Sequence, residues 1–149
     1  MNLKIPPAFQ FLICILIMYG ITKVNGTHFV FEFQNYFVWI LFLIGIIIGL
    51  IAVFSFYKAK TSVDPLHPTK ASKLISGGIY KYTRNPMYLG MLLVLVAAFV
   101  KFGNYINITV LVAYVWYITN FQIKPEEKTL TEIFGKDFTD YCKKVRRWI

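Results

Sequence analysis

Two short segments of this chain concentrate residues that could bind a small charged molecule. The first covers residues 78–90 and contains Arg84, Asn85 and Pro86. Proline favours the first position of a helix, asparagine favours the cap before it, and a residue that precedes proline avoids the helical conformation. The pattern predicts a helix that begins at Pro86 with Asn85 as its cap. Free amide groups at this helix start, with Arg84 beside them, would attract a carboxylate or a phosphate.

Tyrosines and a glycine surround this predicted helix start. The rings of Tyr80, Tyr82 and Tyr88 could hold a cation, an interaction worth about 0.5–2 kcal/mol. Gly90 leaves room for a ligand or for another helix. Each feature alone is more typical of an ordinary membrane boundary, where tyrosines form an aromatic belt and basic residues set the topology. Their concentration in one short segment favours a binding site.

The second segment follows the last apolar run and reads Lys124-Pro125-Glu126-Glu127. Pro125 can open a helix whose first turn carries both glutamates, and apolar residues then recur with helical spacing. Acidic residues at a helix start also complement the helix dipole, which is the structural alternative. Gly135 predicts a break into two short helices on the membrane surface. Both segments lie at the same end of the hairpin that the third and fourth apolar runs would form, so the region 84–88 should face the glutamate pair. A positive cluster beside a negative one suits a ligand that carries both charges.

Other catalytic patterns are absent from the sequence. There is no G-x-S-x-G, P-loop, G-x-G-x-x-G or H-E-x-x-H pattern, so acyl hydrolysis, nucleotide hydrolysis and zinc proteolysis have no support. His28 and His67 have no partner at catalytic spacing. Cys14 lies in an apolar run and Cys142 in a polar tail, so the sequence predicts neither a disulfide nor a metal site.

Membrane helices are the elements that must position these residues. The 149 residues are 57% hydrophobic and 15% charged, whereas a soluble domain carries roughly 25% charged residues. This composition excludes an ordinary soluble domain and a disordered chain. It predicts an all-α integral membrane fold with one domain, a cytoplasmic connector (58–86), short C-terminal interfacial helices and four transmembrane helices: 7–21, 36–57, 87–102 and 105–123. The first and third are short for a hydrocarbon core of about 30 Å, so whether they span fully stays open.

The distribution of charge predicts the topology. The connector and the tail (124–149) are rich in Lys and Arg, which places both of them, and both termini, in the cytoplasm. The net charge of +9 then reflects topology and attraction to anionic headgroups, and no nucleic-acid partner is expected. The expected location is a bacterial inner membrane. Gly45 and Gly49 would permit close helix packing or dimerisation, which leaves the oligomeric state open.

The two segments together resemble the isoprenylcysteine carboxyl methyltransferase and phospholipid methyltransferase superfamily. The resemblance covers roughly residues 65–149. It depends on the order of four motifs: Gly78-Ile79-Tyr80-Lys81-Tyr82-Thr83-Arg84-Asn85-Pro86-Met87-Tyr88-Leu89-Gly90, Glu126-Glu127-Lys128-Thr129-Leu130, Phe134-Gly135-Lys136-Asp137-Phe138-Thr139-Asp140-Tyr141 and Val145-Arg146-Arg147-Trp148. It implies an integral membrane enzyme that binds S-adenosylmethionine in a cytoplasm-facing pocket and needs no metal.

The resemblance also implies roles for individual residues. Arg84 and Glu127 are the expected catalytic residues. The expected cofactor-binding residues come from both motifs: Tyr80, Arg84, Asn85, Pro86, Tyr88, Leu89, Glu126 and Glu127. Many relatives have His where this chain has Asn85. If that His carries a proton in them, the role falls here to a carboxylate, the substrate or water.

The methyl acceptor is expected to be lipophilic or amphiphilic, drawn from among membrane lipids and similar small molecules. A carboxylate, an amine and a thiol all remain open as the accepting group. The alternative is a noncatalytic membrane protein that binds anionic lipid or a protein partner. It would do so through the basic connector and the amphipathic tail.

Overall fold

The computed structural model describes residues 5–24, 26, 28–59 and 72–149. Within these ranges the chain is helical and has no strand, which confirms the predicted all-α fold. The described helices are α1 (Pro7–Val24), α2 (Gln34–Ala59), α3 (Pro86–Phe102), α4 (Ile108–Ile118), α5 (Lys124–Phe134) and α6 (Lys136–Lys144). Much of the predicted connector, residues 60–71 with His67, lies outside the described residues.

Three helices of the described ranges are long and apolar enough to cross a membrane. They are α1, α2 and a continuous helix over Tyr105–Phe134. Helix α3 is apolar but has only 17 residues, which at about 1.5 Å per residue gives about 26 Å against a hydrocarbon core of about 30 Å. The span count of four therefore stays a prediction, and α3 is the helix on which it depends.

Pro125 does not open a separate helix, which is a difference from the sequence prediction. The helix from Tyr105 continues through α4, a π-helical turn (Thr119–Ile123) and α5. Proline has no N–H to donate to the residue four positions earlier, and a wide turn just before it lets the helix continue. The amide of Lys124 donates to the Thr119 carbonyl within this turn. The predicted break at Gly135 is confirmed: α5 ends at Phe134 and Gly135 has φ +53°.

Helices α2 and α3 approach each other closely through glycines. A Cβ atom on Gly90 would lie 2.7 Å from the Gly45 carbonyl oxygen and 3.0 Å from the Gly49 amide nitrogen. Real Cβ atoms do not tolerate such contacts with backbone. The open side of Gly90 therefore holds another helix, and the Gly45–Gly49 pair packs within the chain.

Two apolar clusters hold the described helices together. The first joins α1, α3 and α4 around Met18, Leu95 and Ile118. The second joins the end of α2 to the C-terminal helices, with Ala52 and Phe138 buried in it. Between α3 and α4 the chain turns at Gly103, which has φ +61°, and the Asn104 side chain accepts a hydrogen bond from the Ile106 amide.

Candidate active site

Helix α3 begins at Pro86 as predicted, but Asn85 does not cap it. The Asn85 side chain makes no hydrogen bond to the helix; its Nδ2 donates instead to the Arg147 carbonyl at 2.9 Å. Asn85 stands at the position before the helix, but the predicted side-chain cap is wrong, because the hydrogen bond to the Arg147 carbonyl orients the side-chain amide away from the helix. Since proline has no N–H, the amides of Met87 and Tyr88 are the first-turn donors for which α3 itself offers no acceptor.

The guanidinium of Arg84 is occupied by acceptors of the protein itself. Its Nη2 donates to Glu127 Oε1 at 2.8 Å, and its Nη1 donates to the carbonyls of Cys142 and Val145 at 3.0 and 3.2 Å. The side chain is only 11% exposed. Its Nε is buried and has no hydrogen-bond partner among the described residues. Arg84 thus connects the start of α3 to α5 and to the C-terminal segment.

Glu127 lies between two arginines. Besides Arg84, Arg147 binds it with two nitrogens: Nη2 donates to Oε2 at 2.6 Å and Nε donates to Oε1 at 3.1 Å. The hydrogen bond to Glu127 raises the pKa of Arg147 above its usual value. Two guanidinium groups compensate a single carboxylate, so Glu127 is the centre of an ionic cluster.

Glu126 has a different environment, although it is the next residue. Its Oε1 accepts hydrogen bonds from the Tyr88 hydroxyl at 2.6 Å and from Gln122 Nε2 at 2.7 Å. Both donors are neutral, and Gln122 is 1% exposed. A buried carboxylate without a cationic partner is costly, and a bound cation would compensate it. Of the two glutamates, Glu126 is therefore the one suited to a positively charged ligand group.

A cavity of about 310 Å³ adjoins both glutamates. Its polar lining comes mainly from the starts of α3 and α5, whereas apolar side chains from six parts of the chain form most of its wall: Pro7, Phe56, Leu74, Ile75, Met87, Met91, Leu130, Phe134 and Phe138. Pockets for small molecules and cofactors have this composition, with a few polar groups set in an apolar wall.

Two tyrosines form part of the wall of this cavity. Tyr80 and Tyr141 both line it, and the Tyr141 hydroxyl donates to the Tyr80 carbonyl at 2.7 Å. Burial raises the pKa of both phenols above the usual value for tyrosine. Both rings are therefore neutral near pH 7 and present aromatic surface to a ligand.

The structure brings most of the predicted site residues to this cavity. Its lining includes seven of them: Tyr80, Arg84, Asn85, Pro86, Tyr88, Glu126 and Glu127. Leu89 is not among the lining residues, because it follows Tyr88 on α3 and lies on a different side of that helix. Tyr82, which the sequence also suggested as a cation partner, is 79% exposed and does not line the cavity either.

Sequence reasoning missed two residues of the site. Arg147 lies in the C-terminal motif, but nothing local indicates that it binds Glu127, and the chain reverses at Gly135 between them. Gln122 precedes Glu126 by four residues, a spacing that places two side chains on one face of a helix. That spacing was the available signal for Gln122.

Comparison with known proteins matches most of this chain. A family described as phospholipid methyltransferase matches residues 33–137. A probable protein-S-isoprenylcysteine O-methyltransferase of Oryza sativa subsp. indica is 29% identical over 113 residues, which cover 76% of this chain and 59% of that protein. The protein-S-isoprenylcysteine O-methyltransferase of Schizosaccharomyces pombe is 31% identical over 91 residues, which cover 59% and 39%. The chain spans about half the length of these curated relatives.

Proposed function

The chain belongs to the phospholipid methyltransferase family, and from this premise we propose that it transfers a methyl group from S-adenosylmethionine to a lipophilic or amphiphilic acceptor. It is an integral membrane protein with apolar helices of spanning length. The observation that carries the proposal is the position of Glu126: within the described ranges its carboxylate accepts hydrogen bonds from neutral donors only, and it lies on the wall of a largely apolar cavity.

The residues present suit the charges of the cofactor. S-adenosylmethionine carries an ammonium, a sulfonium and a carboxylate, and its sulfonium supplies an activated methyl group. Glu126 would pair with a cationic group. The amides of Met87 and Tyr88 at the start of α3 would bind the carboxylate, because a helix start attracts anions. The ring of Tyr80 offers a face for the remaining cation.

Arg84 and Glu127 contribute by holding these groups in place. Their ion pair is 2.8 Å long and links the start of α3 to α5. It therefore fixes the distance between the helix amides and Glu126. In a methyl transfer the protein contributes mainly by aligning the methyl donor with the methyl acceptor and by excluding water.

Proton transfer depends on the acceptor. The amide of Asn85 donates to the Arg147 carbonyl and cannot act as a base. A carboxylate acceptor needs no base, whereas an amine or a thiol must release a proton to Glu126, to water or to bulk buffer. A steep rise of activity toward alkaline pH would favour an amine acceptor.

The topology of the proposed enzyme follows from its charges. The lysines and arginines of the C-terminal helices support a cytoplasmic location for the cavity and for both termini. An acceptor that partitions into the bilayer would reach the apolar wall of the cavity from the cytoplasmic leaflet.

Calorimetric titration with S-adenosylhomocysteine tests the proposal. We expect the purified protein, in detergent and in lipid nanodiscs, to bind this product with micromolar affinity. Glu126→Gln should weaken binding at least about tenfold, which corresponds to about 1.4 kcal/mol. Glu132→Gln is the matched control, because Glu132 is exposed on the same helix.

Three outcomes count against the proposal. A folded wild type that binds no S-adenosylhomocysteine in either environment would remove the cofactor site. Salt-sensitive binding to anionic liposomes in its place would favour the lipid-binding alternative. Equal affinity of the two glutamate variants would show that Glu126 does not contact the ligand.

A further inference from the structure

The C-terminal strap, residues 145–148, runs alongside the segment that precedes α3. The Arg84 amide donates to the Arg146 carbonyl at 3.1 Å. The Thr83 hydroxyl and Asn85 Nδ2 both donate to the Arg147 carbonyl, at 3.3 and 2.9 Å. Three consecutive residues therefore bond to the strap, and they fix the backbone of Arg147 against the start of α3.

The strap is anchored at its other side to the long helix. Trp148 Nε1 donates to the Thr119 hydroxyl in the π-helical turn at 3.2 Å. The Arg147 guanidinium reaches Glu127 about two turns further along and binds both carboxylate oxygens. The strap thus adds a connection between the start of α3 and α5 beside the Arg84–Glu127 ion pair and the Tyr88–Glu126 hydrogen bond.

We propose that Arg147 is a positioning residue of the methyl-transfer site, acting on the ligand through Glu127. This inference depends on the proposed function. Arg147 itself does not line the cavity, whereas Glu127 and Arg84 do. The two hydrogen bonds from Arg147 orient the Glu127 carboxylate so that its Oε1 also accepts a hydrogen bond from Arg84.

The burial of the cluster gives this contact more weight than an ordinary surface ion pair. Fully exposed pairs contribute little to stability, but the Glu127 side chain is 17% exposed and that of Arg147 is 33% exposed. Bidentate arginine–carboxylate pairs are the stronger and more directional kind. Without Arg147, Oε2 of Glu127 loses its partner among the described residues, and the carboxylate can turn about its remaining contact between Oε1 and Arg84, so that the position of Glu127 relative to the start of α3 is less well fixed.

A double-mutant cycle on the affinity for S-adenosylhomocysteine tests this inference. We expect Arg147→Ala to weaken binding about tenfold. Arg147→Lys keeps the charge but loses the fork, so it should fall between Arg147→Ala and wild type. In the Glu127→Gln background, Arg147→Ala should have no further effect, because its only route to the ligand is already removed.

Lys144→Ala is the control, since Lys144 is an exposed cation just before the strap. It should bind the product within about twofold of wild type. If Arg147→Ala does not fold, as judged by its thermal transition, the lysine variant and the double mutant with Arg147→Lys carry the test.

The inference would be overturned if Arg147→Ala bound the product as tightly as Lys144→Ala does. Additive losses in the double mutant would also overturn it, because they would show that Arg147 and Glu127 act independently. A wild type that binds no product would refute the proposed function itself, and with it this inference. The wild-type titration therefore separates the two failures.

Discussion

Substitution of Gly90 by alanine tests whether this glycine holds a helix or a ligand. A Cβ atom at this position would lie 2.7 Å from the Gly45 carbonyl oxygen, about 0.7 Å short of the 3.4 Å at which ordinary contact begins. The obstacle is the backbone of α2, so no side-chain rotation relieves it. Helices α2 and α3 would have to separate, and overpacking of this kind costs about 1–3 kcal/mol.

Helix propensity works in the opposite direction and must be subtracted. Alanine is favoured over glycine by about 1 kcal/mol in a helix, so we expect a net destabilisation of up to about 2 kcal/mol for Gly90→Ala. For a chain of this size that corresponds to a decrease in Tm of up to about 8 °C. Gly49→Ala is the matched control, because a Cβ on Gly49 meets nothing within 4 Å. It should leave Tm unchanged or raise it.

Thermal unfolding in one detergent, followed by circular dichroism, measures both variants. The packing account is refuted if Gly90→Ala is as stable as Gly49→Ala. A loss of affinity for S-adenosylhomocysteine at unchanged Tm would be the signature of the opposite account, in which Gly90 faces the ligand. Tight packing predicts that any loss of affinity is accompanied by a lower Tm.

Three further substitutions test individual contacts. Tyr88→Phe removes the hydroxyl that donates to Glu126. We expect this variant to bind the product at least about threefold more weakly, with little change in Tm. An unchanged affinity would contradict the assigned site. Trp148→Phe removes the bond to Thr119 and should lower the stability by about 0.5–1.5 kcal/mol, measured by thermal unfolding; equal stability would show that the strap is held without it. Burial raises the pKa of Tyr141, so the fold keeps this phenol protonated where the unfolded chain ionises it. Stability should be constant below about pH 10 and decrease above it, and Tyr141→Phe should show a smaller decrease in Tm between pH 9 and 11; an identical pH dependence would refute this origin.

Local rules predicted the ends of helices well where they met no competition. Pro86 begins α3 and Gly135 ends α5, as their backbone preferences require. The rule that asparagine caps a helix with its side chain failed for Asn85, because its Nδ2 donates to the Arg147 carbonyl. It failed again at Pro125, where a wide turn absorbed the missing hydrogen bond and the helix continued.

The meeting of the two motifs was predictable because both lie at the same end of the α3–α4 hairpin. The sequence indicated that the Arg84–Tyr88 region would face the glutamate pair, and the Arg84–Glu127 and Tyr88–Glu126 contacts confirm this. The partners of Glu127 were not predictable in the same way. Arg147 reaches it only because α6 folds back after Gly135, and no local periodicity encodes that return.

Glu126 and Glu127 are adjacent in the sequence but have different partners, because they point in different directions from the helix. Neighbouring residues of an α-helix point about 100° apart, so Glu126 turns toward Tyr88 and Gln122 while Glu127 turns toward the arginines. In the described part of the chain both guanidinium groups donate to Glu127 or to backbone carbonyls, and neither of them donates to Glu126. Among the described residues the hydrogen-bond donors to Glu126 are therefore neutral, which leaves the charge of Glu126 available to a cationic group of the ligand.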